Sequence, residues 1–228
     1  MALILSIETS TTVCSVALTD NGANLHDLKL YEEQSHSTHL TLLIGDLLSQ
    51  SKKEMKDLDA IAVSEGPGSY TGLRIGVSTA KGLCYTLGIP LIAVATLKAM
   101  AFEVKQKFNG KMSLVPMLDA RRMEVYTATY SLDLKEEEEL RPLILDETSF
   151  NETLKIQTML FFGNGASKFQ ALMGRNDKAK FIDGISPSAW AIGQLASTKF
   201  EREEFEDVAY FEPNYLKAYQ ATKPKKLL

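Results

Sequence analysis

Cysteine is scarce in this 228-residue chain: Cys14 and Cys84 are the only two. They are too few for a disulfide framework, and their spacing fits neither a CxxC redox pair nor a zinc knuckle. Both are expected to be buried thiols in a reducing compartment. Long apolar runs are missing too; the longest are a few residues, far short of the ~20 that span a bilayer. Met1-Ala2-Leu3-Ile4-Leu5 has no basic flank and runs at once into Ser6 and Glu8, so it reads as a strand rather than a signal peptide. A cytoplasmic protein with no membrane contact is the expectation. Positive charge is in short supply, with a net charge of −4. The overall field therefore repels phosphate, and any nucleic-acid contact must come from a local patch. The one basic run, Lys223, Lys225 and Lys226, reads as a solvated tail, with contact to nucleic acid as the lesser alternative. Of the three histidines, His36 and His39 read as cap or surface residues near Ser35 and Ser37, because a metal pair needs a third ligand that is not at hand. There is no Gly-x-Ser-x-Gly elbow and no P-loop lysine. No catalytic residue and no metal ligand is assigned.

What is present is an ordinary globular composition, 45% hydrophobic and 24% charged. Leu3 to Ile7, Val13 to Leu18 and Leu25 to Tyr31 read as an antiparallel meander, with Asp20-Asn21-Gly22 as one turn. Leu40, Leu43, Ile44, Leu47 and Leu48 then recur at helical spacing. A strand at Ala60 to Val63 feeds a glycine loop and a helix from Leu73 to Leu87, stopped by Gly88 and Pro90. Leu91 to Val94 is a strand, and Thr96 to Lys107 a helix. The order is βββαβαβα.

The second half echoes the first. Ile7-Glu8, a polar turn and Val13 to Ala17 correspond to Leu118-Asp119, a polar turn and Val125 to Ala128. Val63-Ser64-Glu65-Gly66-Pro67-Gly68 corresponds to Phe161-Phe162-Gly163-Asn164-Gly165. The pattern predicts two duplicated α/β lobes, 1–107 and 108–228, broken near Phe108-Asn109-Gly110. A helix over 187–200, capped by Ser186-Pro187-Ser188, is placed to pack back on the first lobe. The run from Lys135 to Glu139 reads as a solvated loop or hairpin end.

Two chemical readings stay open. Glu8 among Thr9, Ser10, Thr11 and Thr12, with Asp119 opposite, is a composition suited to a phosphate or hydrated magnesium; it equally suits a turn with a surface carboxylate. The loop Gly66-Pro67-Gly68-Ser69 offers amides at a helix start, with Arg74 in the first turn. Gly72, Gly76, Ala80 and Cys84 recur every fourth residue and make a smooth face, fitted either to a second chain or to packing within this one.

Ile7-Glu8-Thr9-Ser10, the segment from Glu33 to Leu40, the block from Gly66 to Gly76 (GPGSYTGLRIG), the block from Asp119 to Tyr126 (DARRMEVY) and Pro213-Asn214-Tyr215-Leu216 resemble the bacterial TsaB (YeaZ) family. The resemblance implies the two-lobed ASKHA fold of actin-like and sugar-kinase-like ATPases. It further implies a non-catalytic role in making threonylcarbamoyladenosine beside the tRNA anticodon. There TsaD transfers the threonylcarbamoyl group, TsaE is the ATPase, and the TsaB-like chain pairs with TsaD or with itself through first-lobe helices. The interface implied here is Leu40, Leu43, Leu47, Gly72, Leu73, Gly76 and Ala80. Glu8, Thr9, Ser10, Gly66, Gly68, Asp119, Gly163 and Gly165 would be a vestigial nucleotide-binding set. No cofactor is expected in the isolated chain; ATP or ADP, a metal and tRNA belong to the assembled complex. The His-x-x-x-His metal pair of TsaD-like relatives falls at Thr96 and Met100, neither an ordinary metal ligand. The rival reading is an enzyme acting alone, an ATPase or a metallopeptidase-like hydrolase.

Overall fold

The computed structural model describes residues 2–31, 36–108 and 110–217. The N-terminal half runs β1 (Leu3–Glu8), β2 (Val13–Asp20), β3 (Ala23–Tyr31), α1 (His36–Gln50), β4 (Ala60–Gly66), α2 (Tyr70–Leu87), β5 (Leu91–Ala95) and α3 (Thr96–Lys105). The C-terminal half repeats that order with β6 (Ser113–Asp119), β7 (Glu124–Tyr130), β8 (Glu136–Ile144), α4 (Asn151–Ile156), β9 (Met159–Phe162), α5 (Ala166–Leu172), β10 (Ala179–Ile182) and α6 (Ala189–Glu201). The sheets are ordered β3-β2-β1-β4-β5 and β8-β7-β6-β9-β10, so every strand of one has its counterpart in the other. In each, an antiparallel meander is extended by two parallel strands.

The central strands are apolar on both sides because each sheet is covered on both faces. Leu3, Leu5 and Ile7 point at α1 and α2, where Leu40, Ile44, Leu47, Val77 and Ala80 meet them. Ala2 and Ile4 point the other way, onto Ala191, Ile192 and Ala196 of α6. In the second sheet Val115, Met117 and Phe161 pack on Leu154 of α4 and Phe169 of α5. Leu114, Leu118 and Leu160 pack on Leu97, Met100 and Val104 of α3. The closing helix of each half therefore covers the sheet of the other half, and the halves interlock through exchanged helices.

One helix begins earlier than the sequence pattern predicts, and one segment left open between two readings takes the second. α2 begins at Tyr70 rather than Leu73 because the Ser69 side chain accepts from the Gly72 amide and caps the helix earlier. The acidic run after Lys135 takes the second of its two readings, a hairpin end and not a loop: Glu136 to Glu139 open β8, an edge strand that pairs only with β7. Charge on an edge strand keeps it from recruiting another strand, and alternate side chains there need no burial. Asn109, at the expected break, and the segment 218–228 lie outside the described residues.

Gly193 is what lets α6 lie flat on the first sheet: a Cβ there would stand 2.3 Å from Thr19 Oγ1 and 2.9 Å from Ser6 Oγ. Gly193→Ala is expected to lower the unfolding free energy by about 1–3 kcal/mol through overpacking. Gly45→Ala, on α1 with nothing within 4 Å of the added carbon, is expected to raise it by about 0.5–1 kcal/mol. Urea midpoints check both, and equal shifts of one sign would refute the packing argument.

Candidate functional site

The turn from Glu8 to Thr12 leaves the carboxyl end of β1 and is gripped almost residue by residue. Glu8 Oε1 accepts from the Ser10 amide at 2.5 Å. Thr9 Oγ1 donates to the Gly72 carbonyl at 2.8 Å. The Ser10 carbonyl accepts from the Ser69 amide at 2.6 Å, and the Thr11 carbonyl lies 2.6 Å from His36 Nε2. The start of α1, the glycine loop and the first turns of α2 thus close over the turn. Three glycines permit this approach. A Cβ on Gly68 would fall 2.4 Å from the Ser10 carbonyl oxygen, one on Gly72 2.1 Å from that of Thr9, and one on Gly76 2.3 Å from Thr9 Oγ1.

Glu8, Thr9 and Ser10 are consequently buried. Burial pushes the Glu8 carboxyl above its ordinary value, against the lowering effect of Ser10, Ser64 and Thr9 around it. Its Oε2 is buried without a hydrogen-bond partner. Asp119 is exposed and engaged by its own lobe: its Oδ1 accepts from the Arg121 amide at 2.6 Å and from Lys168 Nζ at 2.8 Å. Among the described residues no group of three or more His, Cys, Asp or Glu side chains converges as a metal site requires.

The second glycine loop repeats the arrangement. Gly163, at φ 97°, would place a Cβ 2.3 Å from the Met117 carbonyl oxygen and 2.8 Å from the Met100 methyl. The Gly165 amide donates to that carbonyl at 3.0 Å, and Asn164 Oδ1 accepts from the Asp119 amide at 2.9 Å. Thr96 and Met100 sit at the start of α3, wholly buried. Where the resemblance places a metal-binding pair, a methionine side chain instead packs against a glycine. Gly68 and Gly163 lie on carbonyls of their own lobe, those of Ser10 and Met117, whereas Gly66 is covered by the Asn214 carbonyl from the C-terminal segment.

The partner-facing assignment needs correction. Leu40, Leu47, Gly72, Leu73, Gly76 and Ala80 are buried inside the chain, and Leu43 is half-buried against the same core. They face β1 and each other, because the smooth side of α2 is what admits the Glu8–Thr12 turn. The residues on the outer side of the helix pair are others: Leu42 is 62% exposed and Tyr85 85% exposed. Beside Tyr85 lies a groove of about 660 Å³ lined by Lys81, Gly82, Asp207, Val208 and Ala209. His36 is also corrected from a surface or cap residue to a buried tie between α1 and the turn. Ser35 and Glu33 lie outside the described residues.

Sequence reasoning did not foresee the strap from Asp207 to Lys217. Lys81 Nζ donates to the Phe211 and Ala209 carbonyls at 2.9 and 3.1 Å. The Asn214 amide donates to the Glu65 carbonyl at 2.7 Å, the Tyr215 ring lies 4.7 Å from that of Tyr70, and Lys217 pairs with Glu124. The strap, which carries Pro213-Asn214-Tyr215-Leu216, thereby ties the glycine-loop block to the block from Asp119 to Tyr126. Neither thiol is poised for chemistry: burial pushes Cys14 up to about 11 and Cys84 up to about 12.

Because the Glu8 carboxyl is raised above 4.5 by burial, the folded state favours its protonated form. Its stability contribution is full below pH 4.5 and falls as pH rises through the higher folded-state value. Glu8→Gln is expected to melt above the parent chain at pH 7, with the gap closing below pH 4.5. Thermal melts across pH 3.5–8 check this; a variant less stable at pH 7 than at pH 4 relative to the parent contradicts it.

A family model described as TsaD, tRNA N6-adenosine threonylcarbamoyltransferase, matches residues 31–227. The tRNA threonylcarbamoyladenosine biosynthesis protein TsaB of Buchnera aphidicola is 39% identical over 129 residues, 57% of this chain and 58% of that protein. The protein of that name from Escherichia coli is 38% identical over 130 residues, 57% of this chain and 55% of that one. The matched segment thus spans little more than half of these curated relatives. YeaZ from Pseudomonas aeruginosa superposes with a TM-score of 0.81 at 25% identity, covering 95% of this chain and 100% of that structure. With the duplicated lobes of an ASKHA-type fold already in view, the chain belongs to the TsaD-type family and, within it, to the TsaB (YeaZ) group.

Proposed function

We propose that this chain is a non-catalytic partner in making threonylcarbamoyladenosine in tRNA, binding a TsaD-type transferase and working alongside a TsaE-type ATPase. The observation that carries the reading is the closure of the Glu8–Thr12 turn by the glycine loop. An ASKHA enzyme needs that turn open to the phosphates and metal of its nucleotide. Here Ser69, Gly72 and His36 hold it, while Asp119 is engaged by Lys168. Weak or absent nucleotide binding by the chain alone follows from that reading. The buried Met100 speaks equally against a peptidase that would need a metal at the start of α3.

What such a chain contributes is surface. Leu42 and Tyr85 stand on the outer side of α1 and α2, beside the groove under the strap. Large apolar side chains left in water on adjacent helices suit association with a helix pair of a similar lobe, whether of TsaD or of a second copy. No helix among the described residues is long and apolar enough to cross a membrane.

Purified chain, a TsaD homologue, a TsaE homologue, ATP, the threonylcarbamoyl precursors and tRNA are expected to yield modified tRNA only when this chain is included. ATP hydrolysis by the chain alone that is lost in Glu8→Ala would replace this reading with the enzyme one. Leu42→Arg combined with Tyr85→Arg is expected to cut TsaD capture about tenfold or more while leaving the melting temperature unchanged. Undiminished capture would remove the outer helix side from the interface.

A further inference from the structure

The β6–β7 hairpin turns with residues poorly suited to its backbone. Hairpin turns that hold consecutive residues in the left-handed region are built from Asn, Asp and Gly, because other side chains collide with the backbone there. The β2–β3 hairpin follows that rule with Asn21 at φ 50° and Gly22 at φ 78°. The β6–β7 hairpin uses Arg121 at φ 71° and Arg122 at φ 48°. Among the described residues they are the only adjacent non-glycine pair in that region. Strain kept at one spot by well-formed surroundings marks a position whose side chains matter for something other than the turn.

Those surroundings are well formed. The Arg121 amide donates to Asp119 Oδ1 at 2.6 Å, the Glu124 amide to the Arg121 carbonyl at 3.1 Å, and the Ala120 amide to the Glu124 carbonyl at 3.0 Å. The Leu145 amide ties the Met123 carbonyl to the next strand end at 2.7 Å. The nearby acids are neutralised or turned away. Lys168 pairs with Asp119, Lys217 pairs with Glu124, and Asp146 turns its carboxylate onto Thr148 and Ser149. Arg121 and Arg122 are exposed and have no carboxylate partner among the described residues. The hairpin tip thus presents two guanidinium groups on a fixed turn, on a chain whose net charge is −4.

We infer that this tip is a docking point for the phosphodiester backbone of an RNA strand. The choice of RNA as occupant rests on the proposed role in tRNA modification. The local chemistry supports it: planar guanidinium forks match phosphate oxygens, and their charge stays on at any physiological pH. On a chain whose net charge is −4, a small cationic tip sets where and in what register the backbone is met. An acidic protein surface is the competing occupant, since Met123, 41% exposed, and Ile144, 71% exposed and paired with Glu124, are apolar side chains close to the tip; the test below separates the two.

The test replaces the strained arginines by the residues the turn prefers, R121N/R122G, with R121K/R122K as the charge-preserving control. Binding of labelled tRNA is followed against salt concentration, for the full chain and for its complex with a TsaD homologue. R121N/R122G is expected to melt at or above the parent temperature, which separates lost binding from lost folding. It is expected to bind tRNA at least about tenfold more weakly at low salt. Removing two phosphate contacts should also flatten the slope of log affinity against log salt by about 1.4 to 1.8. R121K/R122K should keep most of the slope. Unchanged affinity and slope in R121N/R122G overturn the inference, as does a parent chain that binds tRNA in neither setting. Intact tRNA binding with lost TsaD capture also overturns it and assigns the tip to an acidic protein. If R121N/R122G still supports modification with undiminished tRNA affinity, the docking point fails while the partner role stands. If the parent chain supports no modification, it is the partner role that fails.

Discussion

The contact on which the rest depends is backbone against backbone: the glycine loop and the first turns of α2 seated on the carbonyls of the Glu8–Thr12 turn. Gly68, Gly72 and Gly76 have no side chain where any carbon would stand within 2.4 Å of Ser10 or Thr9. Thr9 can therefore reach the carbonyl of Gly72, and Ser69 can both cap α2 and bond to Ser10. Polar backbone that would otherwise need water or a ligand finds its partners inside the chain. With the turn held this way, α2 is fixed against β1, α1 is fixed through His36, and the smooth face of α2 is consumed.

The second lobe solves the same problem with different residues. Gly163 and Gly165 rest on Met117 and on the backbone of Leu118 and Asp119, and Met100 from the first lobe's closing helix fills the space beside them. Because α3 covers the second sheet and α6 the first, the lobes cannot swing apart without exposing the cores under both helices. The strap adds a further tie through Asn214, Tyr215 and Lys217. Hinged closure around a ligand, the motion by which kinase-like folds work, is opposed by each of these contacts.

Much of this was legible in the residues. The alternation in Leu3 to Ile7, the Asn-Gly turn, the repeat of strand, carboxylate and glycine loop, and the Gly-Pro stop after Leu87 all carry local physics that survives folding. What was not legible is the identity of the neighbour. A row of Gly72, Gly76 and Ala80 says that something approaches closely, and it reads the same whether that is a second chain or the chain's own Thr9. The acidic start of β8 could not be told from a loop, because an edge strand needs burial on only one side and tolerates charge. His36 looked like a surface residue because its partner, the Thr11 carbonyl, is distant in sequence. The pairing of Lys217 with Glu124, which leaves the arginine turn with a surplus of charge, is a tertiary event with no local signature.

Closure and charge at the turn are linked. The packing that hides Glu8 also raises its pKa, so the folded chain favours the neutral carboxyl. A magnesium-bound nucleotide requires the opposite, an ionised and accessible carboxylate. Admitting one would break the bonds of Ser69, Gly72 and His36 to the turn, expose the glycine face of α2, and place charge on a carboxyl whose ionised form burial disfavours. Each of these costs free energy before any phosphate is bound, and the fully buried Met100 and the Lys168-held Asp119 leave little on the second lobe to return it. On the role proposed above, the work of the molecule falls to side chains that carry no such penalty: the apolar Leu42 and Tyr85 and the cationic tip of the β6–β7 hairpin.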